Sequence, residues 1–201
     1  MARFFSFQCL EFTNDRKKDT LTSTSKLLKV ISGGQTGVDR GALDAALALE
    51  VECGGWCPAG RLAENGTIPK RYPVMELANA GYSERTARNV ADSDGTLIIS
   101  KGEPIGGTRE TIDHCIEMRK PYLLIDSEGA DIGKAIELAL TFISDLPLRA
   151  PMIVLNVAGP RASQWPEGHK TARQIVSGVL RLLVDRTTPV NTVRDPPSGD
   201  P

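Results

Sequence analysis

Glycine, hydroxyl and amide residues cluster directly after the first apolar run of the chain. The segment SGGQTGVDRG opens at Ser32, and apolar residues then recur at helical spacing over residues 38–49. A strand, a glycine turn and a helix in this order place the free N–H groups and partial positive charge of a helix N-terminus at the turn. A phosphate binds well there. The candidate binding residues are Gly33, Gly34, Gln35, Thr36 and Gly37.

The spacing of these glycines matches neither of two common phosphate-binding fingerprints. Ser32 stands where G-x-G-x-x-G has its first glycine, and no Lys-Ser/Thr pair follows as it does in a P-loop. Two interpretations therefore stay open. The segment is an anion-binding loop, or it is a glycine turn that only lets the helix pack closely on the strand.

A second glycine-led helix start follows the apolar run GTLIIS at residues 95–100. Gly106 and Gly107 precede Thr108, which we expect to cap a helix over 108–119, and Lys101 can add positive charge. One such start could be explained without a ligand, as a capped helix that follows a long connecting segment. Two of them after two strands favour a shared anion site, so Lys101, Gly106, Gly107 and Thr108 join the candidates.

Two arginines are the further charged candidates. Arg161 follows the apolar run MIVLNV, and Arg61 lies in GGWCPAGR. The planar guanidinium group suits phosphate and carboxylate. The alternative for Arg161 is an ordinary surface charge. Trp56, which is close to Arg61 in sequence, either covers a flat ring system of the ligand or packs within its own loop. Arg85 and Asn89, four residues apart on a predicted helix, share a face that can point into the same cleft.

The cysteines do not predict a metal site or a disulfide framework. Cys53 and Cys57 lie four residues apart, but the two histidines, His114 and His169, are distant in sequence. A structural zinc site needs four ligands, so we expect none. Four scattered cysteines in a chain of this length indicate a reduced, cytoplasmic setting.

The elements that position these residues alternate between strand and helix. Strands are predicted at 27–31, 95–100, 121–126 and 151–157, with a weak one at 50–53, and helices at 38–49, 84–91, 108–119, 131–144 and 168–184. Continuous apolar strands are typical of a mainly parallel sheet covered on both faces. We therefore predict a single-domain, doubly wound α/β fold, which binds ligands at the carboxyl ends of its strands. The Gly- and Pro-rich stretch 54–83 is long for a connection, which favours a functional loop.

The composition limits the classes of partner that the chain is expected to bind. The chain has 201 residues, 40% hydrophobic and 24% charged, with a net charge of −1. That balance argues against nucleic-acid binding, and no apolar run approaches the length of a membrane span. We expect residues 1–26 to form a loosely ordered arm, 27–186 the ligand-binding domain, and 187–201 a flexible tail.

Six segments in this order carry a family resemblance: SGGQTGVDRGALDAAL, GGWCPAGRLAENGTIPKRYP, YSERTARNVADSDGTLIIS, GGTRETID, KPYLLID and LNVAGPR. Over about residues 27–184 the chain resembles the molybdenum cofactor carrier proteins. They belong to the wider Rossmann-like group that includes the lysine decarboxylase-like phosphoribohydrolases and the DNA-processing protein DprA. The resemblance implies a homo-oligomeric, non-enzymatic protein that binds the molybdenum cofactor, a phosphorylated pterin, at the glycine loops and passes it to molybdoenzymes. Residues 33–37, 61, 106–108 and 161 fall in its motifs.

An enzymatic or sensing role on nucleotides is the alternative. The phosphoribohydrolases carry P-G-G-x-G-T-x-x-E, whereas here Glu110 falls two residues after Thr108 rather than three. One helical residue turns a carboxylate by about 100° around the axis. Under this alternative the same loops hold a nucleotide phosphate, and Glu110 or Asp94 is the acid/base candidate.

Overall fold

The structure is a computed structural model that describes residues 28–129, 131–147 and 152–185. The predicted arm at 1–26 and tail at 187–201 lie outside the described residues. The elements run in the order β1 (Leu28–Ile31), α1 (Val38–Ala48), β2 (Cys53–Gly54), β3 (Trp56–Cys57), a 3-10 turn (Ala59–Arg61), β4 (Leu62–Ala63), β5 (Gly66–Thr67), β6 (Met75–Glu76), α2 (Tyr82–Asp92), β7 (Gly95–Ser100), α3 (Gly106–Glu117), β8 (Tyr122–Asp126), α4 (Ile132–Asp145), β9 (Ile153–Ala158) and α5 (Gly168–Asp185).

In the described ranges, five strands form the central sheet, and every pairing among them is parallel. The strand order is β2-β1-β9-β7-β8, so the last strand in sequence is inserted between β1 and β7. Val30 of β1 lies opposite Leu155 of β9, and Leu97 of β7 lies opposite Val157. All six residues of β7 are buried. A strand buried on both faces has no polar side to alternate with, which explains the continuous apolar runs of the sequence.

The helices cover the sheet in two groups. Helix α5 packs against α1 and α4, while α2 and α3 pack against each other. The main core combines sheet residues such as Leu97 and Leu155 with Ile175 and Val179 of α5. The predicted Rossmann-like α/β fold is thus confirmed. Among the described residues no helix is long and apolar enough to cross a membrane.

The start of α3 differs from the prediction. Thr108 was expected to cap the helix, but α3 begins two residues earlier, at Gly106, with Ile105 at the cap position. Gly106 has a φ of 53°, a backbone conformation that glycine adopts without steric cost. Thr108 is therefore buried inside the first turn of the helix and not at its cap.

The long stretch between β2 and α2 is folded and has its own small core. Strands β3 and β6 pair in parallel, and β4 and β5 form an antiparallel hairpin over residues 62–67. Leu43 of α1 contributes to a cluster with Cys57, Ile68, Tyr72 and Val74. This cluster anchors the segment on α1, beside the loop that follows β1.

Candidate functional site

The loops that follow β1, β9 and β7 meet at one edge of the sheet, because these strands are direct neighbours. A cleft of about 240 Å³ opens between them. Six of the sequence-predicted residues line it: Gly33, Gln35, Gly106, Gly107, Thr108 and Arg161. The convergence of separate glycine loops on one cavity is thus a property of the fold.

The structure does not bring Gly34, Thr36 and Gly37 into this lining. A Cβ at Gly34 would contact methyl groups of Ile68 at 3.2 and 3.3 Å, and one at Gly37 would lie 2.4 Å from the Pro160 carbonyl oxygen. The Thr36 hydroxyl donates to Glu64 and accepts a hydrogen bond from the Ala162 N–H. These three residues therefore pack the loop after β1 against its neighbours.

The structure places Arg61 away from the cleft. Its guanidinium group donates to four backbone carbonyl oxygens, those of Ile68, Pro69, Tyr72 and Val74, at 2.6 to 3.2 Å. Each of these bonds is charge-assisted and stronger than a neutral one. Arg61 thus fastens the turns of the segment between β4 and β6 to one another.

Lys101 lines a smaller neighbouring cavity of about 110 Å³ with Ile105, Pro160 and Trp165. Gln164 lines both cavities, so the two lie side by side. Lys101 is exposed at this position. The positive charge of Lys101 is therefore adjacent to the main cleft rather than inside it.

A buried ion pair forms the floor of the cleft. Nη1 of Arg85 lies 3.3 Å from Oδ2 of Asp39, which also accepts the Gln35 N–H at 3.2 Å. Asp39 is 4% exposed. Burial raises the pKa of Asp39 above its ordinary value and outweighs the opposing effect of Arg85 and of the Gln35 hydrogen bond. A Cβ at position 33 would lie 1.1 Å from Nη1 of Arg85, so the close approach of this guanidinium requires Gly33.

Arg85 has a buried hydrogen-bond donor that lacks a partner in the described ranges. Its Nε is buried and has no partner among the described residues, and the side chain is 14% exposed. A buried donor without an acceptor is costly in free energy, so such groups are rare in folded proteins. Asn89, one turn along α2, is already engaged, because its amide pairs with both backbone groups of Trp56 at 2.8 and 2.9 Å.

The backbone N–H groups at the starts of α1 and α3 differ in whether they have hydrogen-bond acceptors. In the first loop, the Val38 N–H donates to Pro160 and the Thr36 N–H donates to the side chain of Gln35. In contrast, the N–H groups of Gly106 and Gly107 donate to no acceptor in the described ranges. A Cβ at Gly107 would meet no atom within 4 Å. The start of α3 is therefore the more open of the two helix N-termini.

The two acid/base candidates, Glu110 and Asp94, lie at different edges of the sheet. Glu110 lines the cleft and accepts a hydrogen bond from the Ser83 hydroxyl. Asp94 precedes β7 at the opposite edge of the sheet, where its carboxylate accepts the Val154 N–H at 2.8 Å, so Glu110 alone of the two faces the cleft. The Trp56 indole donates to Asp92 and carries Arg88 over its ring, which is a packing role.

The cysteines of the described chain are free thiols. Cys57 is completely buried within the small core of the stretch between β2 and α2, and burial raises the pKa of Cys115 to about 11. Both thiols therefore stay protonated at neutral pH and act as small apolar side chains.

Sequence reasoning missed Asp39 and Glu64, and it also did not single out Tyr82 and Gln164, which line the cleft. Asp39 follows Gln35 by one helical turn, so its acidic side chain in the first turn of α1 was a usable signal for a bond to a loop N–H. Glu64 carries no such signal. Its role depends on the position of the β4–β5 hairpin, which the sequence pattern does not reveal.

Comparisons with known proteins agree with the fold. The chain matches the circularly permutated YpsA SLOG family over residues 30–180. It is also similar to the crystal structure of a proposed molybdenum carrier protein from Syntrophus aciditrophicus SB. The identity is 41% over 77% of this chain and 96% of that one, with a TM-score of 0.70. Among curated proteins, no significant match is found.

These matches define the class of protein. The parallel sheet with a ligand-sized cleft at its carboxyl edge is a Rossmann-like architecture, and the family match covers most of the chain. The chain belongs to the circularly permutated YpsA SLOG family. The resemblance to the molybdenum cofactor carrier proteins is thereby confirmed at the level of the family.

Proposed function

We propose that the protein binds the molybdenum cofactor in the cleft and carries or protects it. The solved relative is described as a molybdenum carrier of proposed function, at 41% identity. The cargo is a pterin with one phosphate and a dithiolene-bound oxo-metal. When bound, it supplies a redox-active metal centre for the recipient enzyme, and the residues of this chain serve to hold and shield it.

The anionic part of this cargo fits one side of the cleft. The free N–H groups of Gly106 and Gly107 and the guanidinium groups of Arg85 and Arg161 all border the same cavity. Phosphate and molybdate oxygens accept hydrogen bonds from both kinds of donor. The observation that carries the proposal is this convergence of backbone N–H and guanidinium donors on one cleft, where Arg85 also keeps a buried Nε without a partner among the described residues.

The pterin ring system fits the polar lining. The carboxylates of Asp39 and Glu110 and the amide of Gln164 line the cleft and can accept hydrogen bonds from ring and amino N–H groups. Tyr82, half-exposed at the cleft, offers an aromatic face. A flat ring with several donors is therefore compatible with these residues.

The experiment measures protection and transfer. Cofactor released under anaerobic conditions should lose its activity in air more slowly with the protein than with a matched concentration of albumin, and should then activate a cofactor-free molybdoenzyme. Equal decay in both samples would contradict the proposal. R85A should abolish the protection, whereas R88A, on the same helix but paired with Asp92 at the surface, should retain it.

The proposed carrier role also has consequences for the recipients, the location and the oligomeric state of the protein. A carrier implies molybdoenzymes as recipients, a cytoplasmic location where cofactor is assembled, and the homo-oligomeric state expected from the resemblance. Size-exclusion chromatography with light scattering measures the last of these directly. A monomer at all accessible concentrations would contradict it.

A nucleotide-processing role is the second candidate, and one observation favours it. Glu110 lies in the cleft beside the open N-terminus of α3, where a carboxylate can act as a general acid or base on a bound phosphorylated ribose. Incubation with a panel of nucleoside monophosphates tests this by release of base or ribose phosphate. Turnover that is lost in E110Q would support it. No turnover together with an unchanged melting temperature would exclude it.

A further inference from the structure

The tip of the β4–β5 hairpin places one carboxylate between two cleft loops. Glu64 follows β4 directly, and its side chain is 17% exposed. Its oxygens accept hydrogen bonds from the hydroxyl groups of Thr36 and Ser163 and, at 3.2 Å, from the Ser163 N–H. Thr36 belongs to the loop after β1 and Ser163 to the loop after β9. Glu64 therefore joins the two loops.

The same carboxylate is next to a cleft arginine. Oε2 of Glu64 lies 3.5 Å from Nε of Arg161, and this is the single carboxylate that pairs with Arg161 in the described part of the chain. The Arg161 side chain is 48% exposed, so packing alone does not restrict it. A long side chain with this freedom loses entropy when a ligand immobilises it, and a prior contact reduces that loss.

The hairpin also holds the loop after β1 through its backbone. The Glu64 N–H donates to Oε1 of Gln35 at 3.0 Å, and the Thr36 N–H donates to the same oxygen at 3.0 Å. Arg40 of α1 adds a bond to Asn65 at 3.0 Å. The Gln35 side chain, which lines the cleft, is thereby held from the hairpin side.

The charge state of Glu64 suits this role. Burial acts to raise the pKa of its carboxyl group, but the hydrogen bonds from Ser163 and Thr36 together with the charge of Arg161 hold the pKa below its ordinary value. The carboxylate is therefore ionised throughout the neutral pH range. An ionised acceptor makes shorter and stronger bonds than a neutral one.

We propose that Glu64 is a positioning residue for the cleft, which holds the loop after β9 so that the Arg161 guanidinium points at the anionic group of the ligand. This inference rests on the proposed function for the identity of the ligand, a phosphorylated pterin. Glu64 acts through Arg161 and does not contact the ligand.

The first test needs no ligand. In ligand-free protein, the order parameter of the Arg161 side-chain Nε–H group, measured by NMR relaxation, should fall in E64Q and stay unchanged in E52Q. Glu52 is a matched control because it pairs with Lys29 on the surface. Glutamine keeps the size of the side chain but loses the charge that attracts Arg161. An unchanged order parameter in E64Q would overturn the proposal.

The second test uses a phosphorylated pterin titrated against four proteins, the wild type, E64Q, R161A and the double variant. E64Q should weaken binding about tenfold, as expected for the loss of one charge-assisted contact. The double variant should bind within about twofold of R161A, because contacts that act as a unit are not additive. Further weakening in the double variant would show a general structural role and overturn the proposal.

The two tests separate this inference from the proposed function. If the wild type does not bind the phosphorylated pterin while E64Q still mobilises Arg161, the proposed ligand is wrong and the positioning by Glu64 stands. If the wild type binds the pterin and E64Q alters neither affinity nor Arg161 mobility, the proposed function stands and the role of Glu64 is wrong.

Discussion

Arg85 and Asp39 meet in the floor of the cleft, with Nη1 of the arginine 3.3 Å from Oδ2 of the aspartate, while Nε of the same guanidinium group has no partner among the described residues. The pair joins α2, on one face of the sheet, to the start of α1. Its two opposite charges compensate each other. Gly33 leaves the space that brings Arg85 this close to the loop after β1.

Replacement of Arg85 tests whether its guanidinium group binds the anionic part of the ligand. R85A should weaken binding of a phosphorylated pterin by about 10- to 150-fold, the range for loss of a hydrogen bond to a charged group. R88A, which removes an exposed arginine from the same helix, should bind as the wild type does. Isothermal titration calorimetry measures both. Equal affinities for R85A and R88A would place the anion elsewhere.

Replacement of Gly107 separates ligand approach from folding. Space around Gly107 is open, and alanine is favoured over glycine within a helix by roughly 0.5–1 kcal/mol, so G107A should melt at the same or a slightly higher temperature. Its methyl group should nevertheless obstruct a ligand that approaches the free N–H groups, and affinity should fall. Unaltered binding in G107A would show that the ligand does not reach this end of α3.

Replacement of Arg61 should affect stability rather than binding chemistry. R61A leaves four backbone carbonyl oxygens without their charged donor, and we expect the free energy of unfolding to fall by about 3 kcal/mol. Urea denaturation followed by circular dichroism measures this. A variant with wild-type stability but weakened ligand binding would support the direct ligand contact that was predicted from the chemistry of the guanidinium group.

The pH dependence of stability reports on Glu64. The pKa of Glu64 in the folded state is lower than the ordinary value of 4.5. Its ionised carboxylate therefore contributes fully to the free energy of unfolding above pH 4.5, and this contribution is lost as the pH falls through the folded-state pKa. The difference in unfolding free energy between wild type and E64Q should therefore shrink below pH 4.5. Urea titrations at a series of pH values test the sign, and a difference that grows on acidification would contradict it.

The alternation of strand and helix was readable from the sequence because a doubly covered parallel sheet requires continuous apolar strands. The helix predicted at 168–184 ends within one residue of α5, and the strand at 95–100 coincides with β7. The insertion of β9 between β1 and β7 left no local signal, since strand order depends on contacts between distant segments. That insertion nevertheless brings Arg161 to the glycine loops.

Residue types were easier to predict than side-chain directions. Arg61 and Arg161 both lie in glycine-containing motifs, yet one turns back into its own loop and the other borders the cleft. A guanidinium group binds backbone carbonyls as readily as anions, so composition does not distinguish these roles. The ion pair of Asp39 was not predictable, because Arg85 lies 46 residues away in sequence and only the fold places it beside the carboxylate.

Native mass spectrometry of protein purified without oxygen tests the central claim most directly. The wild type and R88A should each carry an added mass equal to a phosphorylated pterin, with or without its metal, and R85A should lack it. Wild-type protein that carries no pterin when cells are producing the cofactor, or R85A that carries as much as the wild type, would contradict the assignment of this cleft.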